Sequence, residues 1–389
     1  MVCVLHVVED QRRQAAPSEQ RGITAMTFVS GQSAFSGPVS QGEIPSAVAE
    51  HILEVINVVD EAPNVKTFTF RSVGTAPLTY EAGQFITLEL PVCQGPIARV
   101  YTLSSTPSRP MSVSVTAKAQ GASVGTRWMF ENLVRGSVIK ARGPSGRFVL
   151  GDSGAKRHLF VSAGSGITPT MSMLRWLSDA TPDVDVVFIN CSRTPEEIIF
   201  RRELELLDQQ MPNLRLGFIV EKPGSFEGWS GLTGLLDVRK LNVLAPDLMD
   251  REVYCCGPVG FMRGVQTVLD GLGFPVSHYH EENFAPIVAE PSDAPAAETS
   301  SIAPRVVRFN KSDAETVCAP GETVLSAARR SGVQIVSVCE MGICGTCKVR
   351  KTSGDVQMTH AEGISDDEVH AGYILACCAK PVTSVEVEA

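Results

Sequence analysis

Cys339-Glu-Met-Gly-Ile-Cys344-Gly-Thr-Cys347 places three thiols in a C-x4-C-x2-C run, and Cys377 and Cys378 follow some thirty residues later. That spacing, three close cysteines and a distant fourth, suits a plant-type [2Fe–2S] cluster, whose two irons need four thiolates. Either Cys377 or Cys378 can be the fourth. Gly342 and Gly345 allow the loop to wrap tightly and turn its backbone N–H groups toward the sulfurs. A structural zinc site pairs C-x2–4-C with a second close pair, and no second pair of that spacing occurs. The chain has 11 cysteines, an acidic balance of −9 and no basic leader ahead of its first apolar residues, so crowded thiols predict metal binding before disulfides. Cys3, Cys93, Cys191, Cys255, Cys256 and Cys318 are by default packing residues.

Two further groups can hold phosphates. An apolar run leads into Ala163-Gly164-Ser-Gly166-Ile-Thr168-Pro169. Glycines let a backbone approach a pyrophosphate, and Pro169 suits the first turn of a helix, so a strand–loop–helix that binds a dinucleotide is expected. Upstream lies Arg99-Val100-Tyr101-Thr102. On a strand Arg99 and Tyr101 share a face, which lets a guanidinium meet a phosphate while a phenol ring lies on an aromatic ligand; Thr102 points the other way. Ser123-Val124-Gly125-Thr126 then opens a helix, a second candidate anion cradle, and Gly143-Pro-Ser-Gly146-Arg-Phe148 forms a turn that a ligand can approach closely.

These residues need three kinds of scaffold. Residues 1–46 are polar, irregular and rich in Gly, Ser and Pro, and read as a disordered tail. From 47 to 152, short alternating segments (55–59, 65–71, 84–90, 100–103, 111–117) and one helix, 126–133, predict an antiparallel β-barrel. From 153 to 286 strands (158–162, 184–190, 214–220, 252–256, 276–280) alternate with helices such as 195–210 and 259–272, which predicts an α/β domain around a parallel sheet. Residues 287–304 carry Pro, Ala, Ser and Thr without an apolar period and read as a linker to a small domain, 305–389. The acidic charge argues against nucleic acid as partner. No apolar run approaches the roughly 18 residues of a membrane span, and a cytoplasmic location is the default expectation.

Three flavin-type elements in this order, ahead of a βαβ domain, resemble the ferredoxin–NADP reductase superfamily. The likeness covers roughly residues 48–389 and implies that Arg99, Val100, Tyr101 and Thr102 hold a flavin, with Val124, Gly125 and Thr126 at the pyrophosphate of FAD. It implies that Cys256-Gly257-Pro258 lies beside the nicotinamide, and that Glu282 and Phe284 match the family's closing Glu-x-Phe, near the flavin ring. The Ile-Leu-Ala-Cys phrase resembles the ferredoxin ending and selects Cys377; the C-terminal domain is then an α+β β-grasp ferredoxin. Ala163 stands where many relatives have glycine. Arg193 and Arg201 could hold a 2′-phosphate while Glu196 and Glu197 oppose one; relatives with a similar Arg-Thr-Pro-Glu stretch favour NADH. The order flavin, nicotinamide, ferredoxin resembles reductase components of Rieske-type oxygenases, above all those for glycine betaine and related quaternary amines. It implies a route from NADH through FAD and the cluster to a separate terminal oxygenase. Reduction of another metalloprotein, such as a hybrid-cluster protein or di-iron enzyme, and redox sensing are the alternatives.

Overall fold

Alternation of buried and exposed positions drives the first part of the chain into strands, β1 (Glu50–Ala62), β2 (Val65–Ser72), β3 (Phe85–Val92), β4 (Gly95–Thr102), β5 (Val113–Lys118) and, after helix α1 (Val124–Asn132), β6 (Val138–Ser145). Leu53, Val55, Phe68, Phe70, Ile86, Leu88 and Leu90 point inward and are fully buried. The strands form one antiparallel sheet in the order β4-β3-β6-β1-β2-β5, and a bridge between Leu103 and Val115 joins its two edges, closing the barrel. The structure is a computed structural model and describes residues 49–389 apart from 75–76, 94, 120–122, 152–154, 225–227, 285–304, 338 and 360–362. The expected tail, 1–46, and linker, 287–304, lie outside the described residues.

The second part contains β7 (Arg157–Ala163), α2 (Ile167–Ala180), β8 (Asp185–Ser192), α3 (Arg201–Gln210), β9 (Leu214–Val220), β10 (Leu232–Thr233), α4 (Val238–Leu244), β11 (Glu252–Cys256), α5 (Val259–Gly271) and β12 (Tyr279–Glu282). Their order is β10-β9-β8-β7-β11-β12, with every pairing parallel. Leu159, Phe160 and Val161 are consecutive and buried, the run expected of a central strand covered by helices on both faces.

The last part builds β13 (Arg305–Phe309), β14 (Ala314–Cys318), α6 (Val324–Arg330), β15 (Lys348–Ser353), β16 (Val356–Met358), α7 (Asp366–His370), β17 (Tyr373–Leu375), β18 (Ala379–Pro381) and β19 (Val385–Val387). Five strands order as β14-β13-β19-β15-β17, with β13 and β19 parallel, and β16 pairs with β18. Helix α6 buries Val324, Ala327 and Ala328 in the core of this domain.

The barrel and the parallel-sheet domain share a core. Val65, Ala82 and Phe148 pack in one cluster with Phe160, Ile167 and Met171. Polar pins reinforce it: Ser172 Oγ donates to the Ser105 carbonyl at 2.6 Å, Arg175 to the Ser104 carbonyl, and Arg109 pairs with Asp179 at 2.6 Å.

Local structure departs from the sequence expectations in several places; one is that Val138–Ser145 forms β6, a strand that takes in the start of the turn expected over Gly143–Phe148. The helix expected over 195–210 is broken: Pro195–Glu197 is a single 3-10 turn, Ile198–Phe200 are buried, and Phe200 sits at φ 59° before α3 begins. Burying three consecutive apolar side chains outweighs helix continuity there. The strand expected over 276–280 starts as a 3-10 turn, Val276–His278, and becomes strand at Tyr279. The segment expected over 111–117 begins at Val113, because Met111 stays 83% exposed in a turn. Helix α1 starts at Val124, so Gly125 and Thr126 form its first turn instead of preceding it, with Ser123 as cap accepting from the Thr126 N–H at 3.4 Å.

Candidate functional site

The parallel sheet reverses direction between β7 and β11: the chain builds β8 and β9 on one side of β7, then β11 and β12 on the other. Ligands of open α/β sheets bind at such a switch point, beyond the carboxyl ends of the strands. Gly164–Gly166 form a 3-10 turn there, after β7, and lead into α2, whose first turn buries Thr168 and Pro169. Thr168 Oγ1 donates to the Ser165 carbonyl at 3.1 Å, fixing the turn. From the other side, Cys256 closes β11 against it. A Cβ at Gly166 would lie 2.3 Å from the Cys256 carbonyl oxygen and 2.6 Å from the Gly257 nitrogen, so the two loops meet backbone to backbone. Pro258 caps α5, and Glu282 on β12 is the direct register partner of Cys256. Cys256 and Glu282 are buried, whereas Phe284, two residues past β12, is 41% exposed.

The second cradle lies on the barrel edge. Arg99 and Tyr101 stand on β4, and Gly125 packs under the arginine stem: a Cβ at 125 would be 3.1 Å from Arg99 Cγ. Strand β4 and the N-terminus of α1 are thus brought together through the smallest residue. Arg99 Nη1 donates only to the neighbouring Ala98 carbonyl, at 2.8 Å, and the side chain is exposed. Val100 is half-buried, and Val124 is 53% exposed. Burial pushes the Tyr101 hydroxyl up to about 12, against the opposing pull of Arg99, so it stays protonated. Thr102 and Thr126 are buried, yet their Oγ1 atoms have no hydrogen-bond partner among the described residues. Orphaned hydroxyls are costly; here both lie at positions where the sequence expects a flavin, and a ligand with ring and phosphate acceptors fits them.

Three of the thiols, Cys339, Cys344 and Cys347, lie on the loop before β15, and Cys377 follows β17, which pairs with β15 and brings the Cys377 N–H to Cys347 Sγ. Four thiolates gathered from these two stretches suit a cluster in which each of two irons takes two cysteines. The Met341 and Cys344 N–H groups point at Cys339 Sγ and the Cys377 N–H at Cys347 Sγ, all at 3.4 Å, and Thr346 Oγ1 lies 3.1 Å from Cys344 Sγ. Gly345, at φ 72°, makes the loop possible, since a Cβ there would sit 2.5 Å from the Gly363 carbonyl. Cys378 packs beside the core of the domain with its Sγ 3.8 Å from that of Cys377.

Family models match all three parts: an oxidoreductase FAD-binding domain over 53–150, an oxidoreductase NAD-binding domain over 160–267 and a 2Fe-2S iron-sulfur cluster binding domain over 307–382. The stachydrine N-demethylase reductase subunit of Rhizobium meliloti is 47% identical over 341 residues, covering 87% of this chain and 96% of that one. The chain belongs to the ferredoxin–NADP reductase superfamily, in the branch that ends in a [2Fe–2S] ferredoxin domain. The glycine betaine monooxygenase reductase subunit of Pseudomonas aeruginosa is a further relative of this iron–sulfur flavoprotein, 40% identical over 353 residues and covering 88% and 96%. Its fold is that of phthalate dioxygenase reductase, with a TM-score of 0.58, 24% identity, and coverage of 87% of this chain and 98% of that one. The reductase is an NAD(P)H-dependent oxidoreductase carrying FAD and a [2Fe–2S] cluster, with NADH as donor. No helix among the described residues is long and apolar enough to cross a membrane.

Other contacts of the reductase join elements that local spacing does not connect. Arg147, two residues past β6, reaches Glu368 of α7 at 3.4 Å and so touches the ferredoxin domain. Lys118 of β5 reaches Glu197 at 3.1 Å. A basic residue after a glycine turn was the only sequence signal for the first, and there was none for the second.

Proposed function

We propose that this reductase delivers electrons from NADH to a separate Rieske-type monooxygenase that acts on glycine betaine or a related quaternary amine. The observation that carries this reading is the identity of 47% and 40%, across nearly the whole described chain, with reductase subunits named for stachydrine and glycine betaine. When bound, FAD would supply the conversion of a two-electron hydride into single electrons and the cluster one-electron transfer. The chain's part is to hold these groups. Arg99, Val100, Tyr101 and Thr102 grip the flavin from β4, and Val124, Gly125 and Thr126 meet its pyrophosphate; the orphaned Thr102 and Thr126 hydroxyls support this. Gly164, Gly166, Thr168 and Pro169 cradle the nicotinamide pyrophosphate. Cys256, Gly257 and Pro258, with Glu282 in register with Cys256, bound the nicotinamide pocket, and Phe284, two residues past β12, would lie near the flavin ring. Glu282 is the carboxyl placed to relay a proton at that pocket. Cys339, Cys344, Cys347 and Cys377 bind the cluster.

The domain limits 47–152, 153–286 and 305–389 enclose the matched segments. A cytoplasmic location suits a nicotinamide donor and free thiols. Purified reductase is mixed with purified candidate oxygenases and NADH consumption is followed with and without each amine. Amine-dependent consumption with a Rieske partner is the expected outcome; coupling to none of them, with fast cytochrome c reduction intact, refutes the partner class.

A further inference from the structure

We infer that Glu197 sets the preference for NADH over NADPH by occupying the cations that would otherwise receive a 2′-phosphate. The inference rests on the nicotinamide reading of the switch point and adds to it a residue that determines specificity. In open α/β sheets the adenosine ribose lies beyond the strand next to the glycine loop, where an acidic group meets a 2′-hydroxyl or an arginine meets a 2′-phosphate. That strand is β8, whose Cys191 is in register with Ala163, immediately before the Gly164–Gly166 turn. The segment leaving β8 carries Arg193 and Glu197, Lys118 reaches Glu197 from the barrel, and the next cation along the chain is Arg201 at the start of α3.

Left to themselves, such cations would draw a dianionic phosphate. None is left to itself. Arg193 donates to Glu197 Oε2 through Nε at 3.0 Å and Nη2 at 2.9 Å, and Lys118 Nζ meets the same oxygen at 3.1 Å. Arg201 is paired with Glu205 at 3.0 Å and lies over the Trp229 ring. Glu197 is fixed in place. It ends the 3-10 turn that begins at buried Pro195, and buried Ile198, Ile199 and Phe200 anchor the chain directly after it. The Arg193 backbone is pinned by the Lys222 N–H at 3.0 Å. Burial pushes the Glu197 carboxyl upward, but the bonds from Arg193 and Lys118 outweigh it and hold the group below its usual range, so it remains an anion. One carboxylate thus does for Arg193 and Lys118 what a 2′-phosphate would do, and a nucleotide carrying that phosphate meets Glu197 as a like charge.

The test is titration calorimetry of the flavin-loaded enzyme with two probes, ADP-ribose and 2′-phospho-ADP-ribose. Wild type is expected to favour ADP-ribose. Glu197→Gln keeps the shape and removes the charge, and should move the ratio toward the phosphorylated probe by roughly tenfold. Adding Arg193→Ala should take back most of that gain. The NADPH/NADH ratio of kcat/KM should follow. If Glu197→Gln loses its flavin, Glu197→Asp, whose shorter arm retreats from Arg193, should give a smaller shift of the same sign. An unchanged ratio, or equal shifts for both probes, overturns the inference while leaving the nucleotide site standing. Failure of wild type to bind ADP-ribose at all overturns the nicotinamide reading itself.

Discussion

Gly166→Ala places a methyl group where two loops already touch. The added carbon would lie 2.3 Å from the Cys256 carbonyl oxygen, 2.4 Å from its carbonyl carbon and 2.6 Å from the Gly257 nitrogen, all backbone atoms. Reaching ordinary contact at 3.4 Å requires the loops to part by about 1.1 Å at the nearest atom. Both loops end central strands, β7 and β11, which are in register with each other, so neither can retreat without moving the sheet. Overpacking of this kind costs about 1–3 kcal/mol in stability. Its larger effect should be on chemistry, because a displacement of about 1 Å between reacting groups costs on the order of a hundredfold in rate. Gly264→Ala, inside α5 and away from the cradle, is the control: its Cβ would meet nothing within 4 Å and its backbone is helical. Stopped-flow measurement of flavin reduction by NADH, normalised to flavin content, should show a loss of about two orders of magnitude for Gly166→Ala and a few-fold change at most for Gly264→Ala. Equal rates in the two variants would refute the claim that the Gly166–Cys256 contact positions the nicotinamide.

Cys344→Ser removes one of the four cluster thiols and should abolish NADH-driven cytochrome c reduction while sparing ferricyanide reduction, which needs only the flavin; survival of both activities would place the electron exit elsewhere. Glu368 is pushed up by burial but drawn down further by Lys348, the Ser365 N–H and Arg147, to about 2. A lowered carboxyl gives a contribution that is complete above its ordinary value of 4.5 and fades as pH falls toward 2. Cross-linking between the barrel and the ferredoxin domain should therefore hold steady from pH 8 to about 5 and fall modestly in acid, and Glu368→Gln should lower it by about fivefold at most, the exposed pair with Arg147 being worth about 0.2–1 kcal/mol. Arg251, fully buried and bonded to Asp185 and Asp247 at 2.8 and 2.7 Å, balances both carboxylates; Arg251→Met should cost about 3 kcal/mol, at the low end for a broken buried pair because the carboxylates are partly solvated, and should lower the calorimetric melting of the parallel-sheet domain.

The cluster loop was legible because its ligands crowd into nine positions, and thiol spacing is local information. The glycine turn after β7 was legible for the same reason. What was not legible depends on partners distant in the chain. That Cys377 comes back beside Cys347 follows from how β17 pairs with β15 next to the loop. Glu282 meets Cys256 only because β12 adds in parallel to β11. The break at Phe200 was invisible to helix periodicity, since Arg201–Gln210 continues the same apolar spacing; burial of Ile198–Phe200 decided it. Strand β6, with a central position between β3 and β1, was missed although Ile139-Lys140-Ala141-Arg142 alternates, because the run is short and passes directly into Gly143-Pro144, which reads as a turn.

The bond between Lys118 and Glu197 runs from the barrel to the parallel-sheet domain. Donor choice and the alignment of two domains therefore share one side chain, and natural variation cannot tune them independently at that position. A lineage drifting toward NADPH through residue 197 would release one tie between its domains in the same step. The ties at Ser105–Ser172 and Arg109–Asp179 are where compensating changes should gather. Joint variation of those positions with residue 197 across many sequences would carry the trace of that constraint.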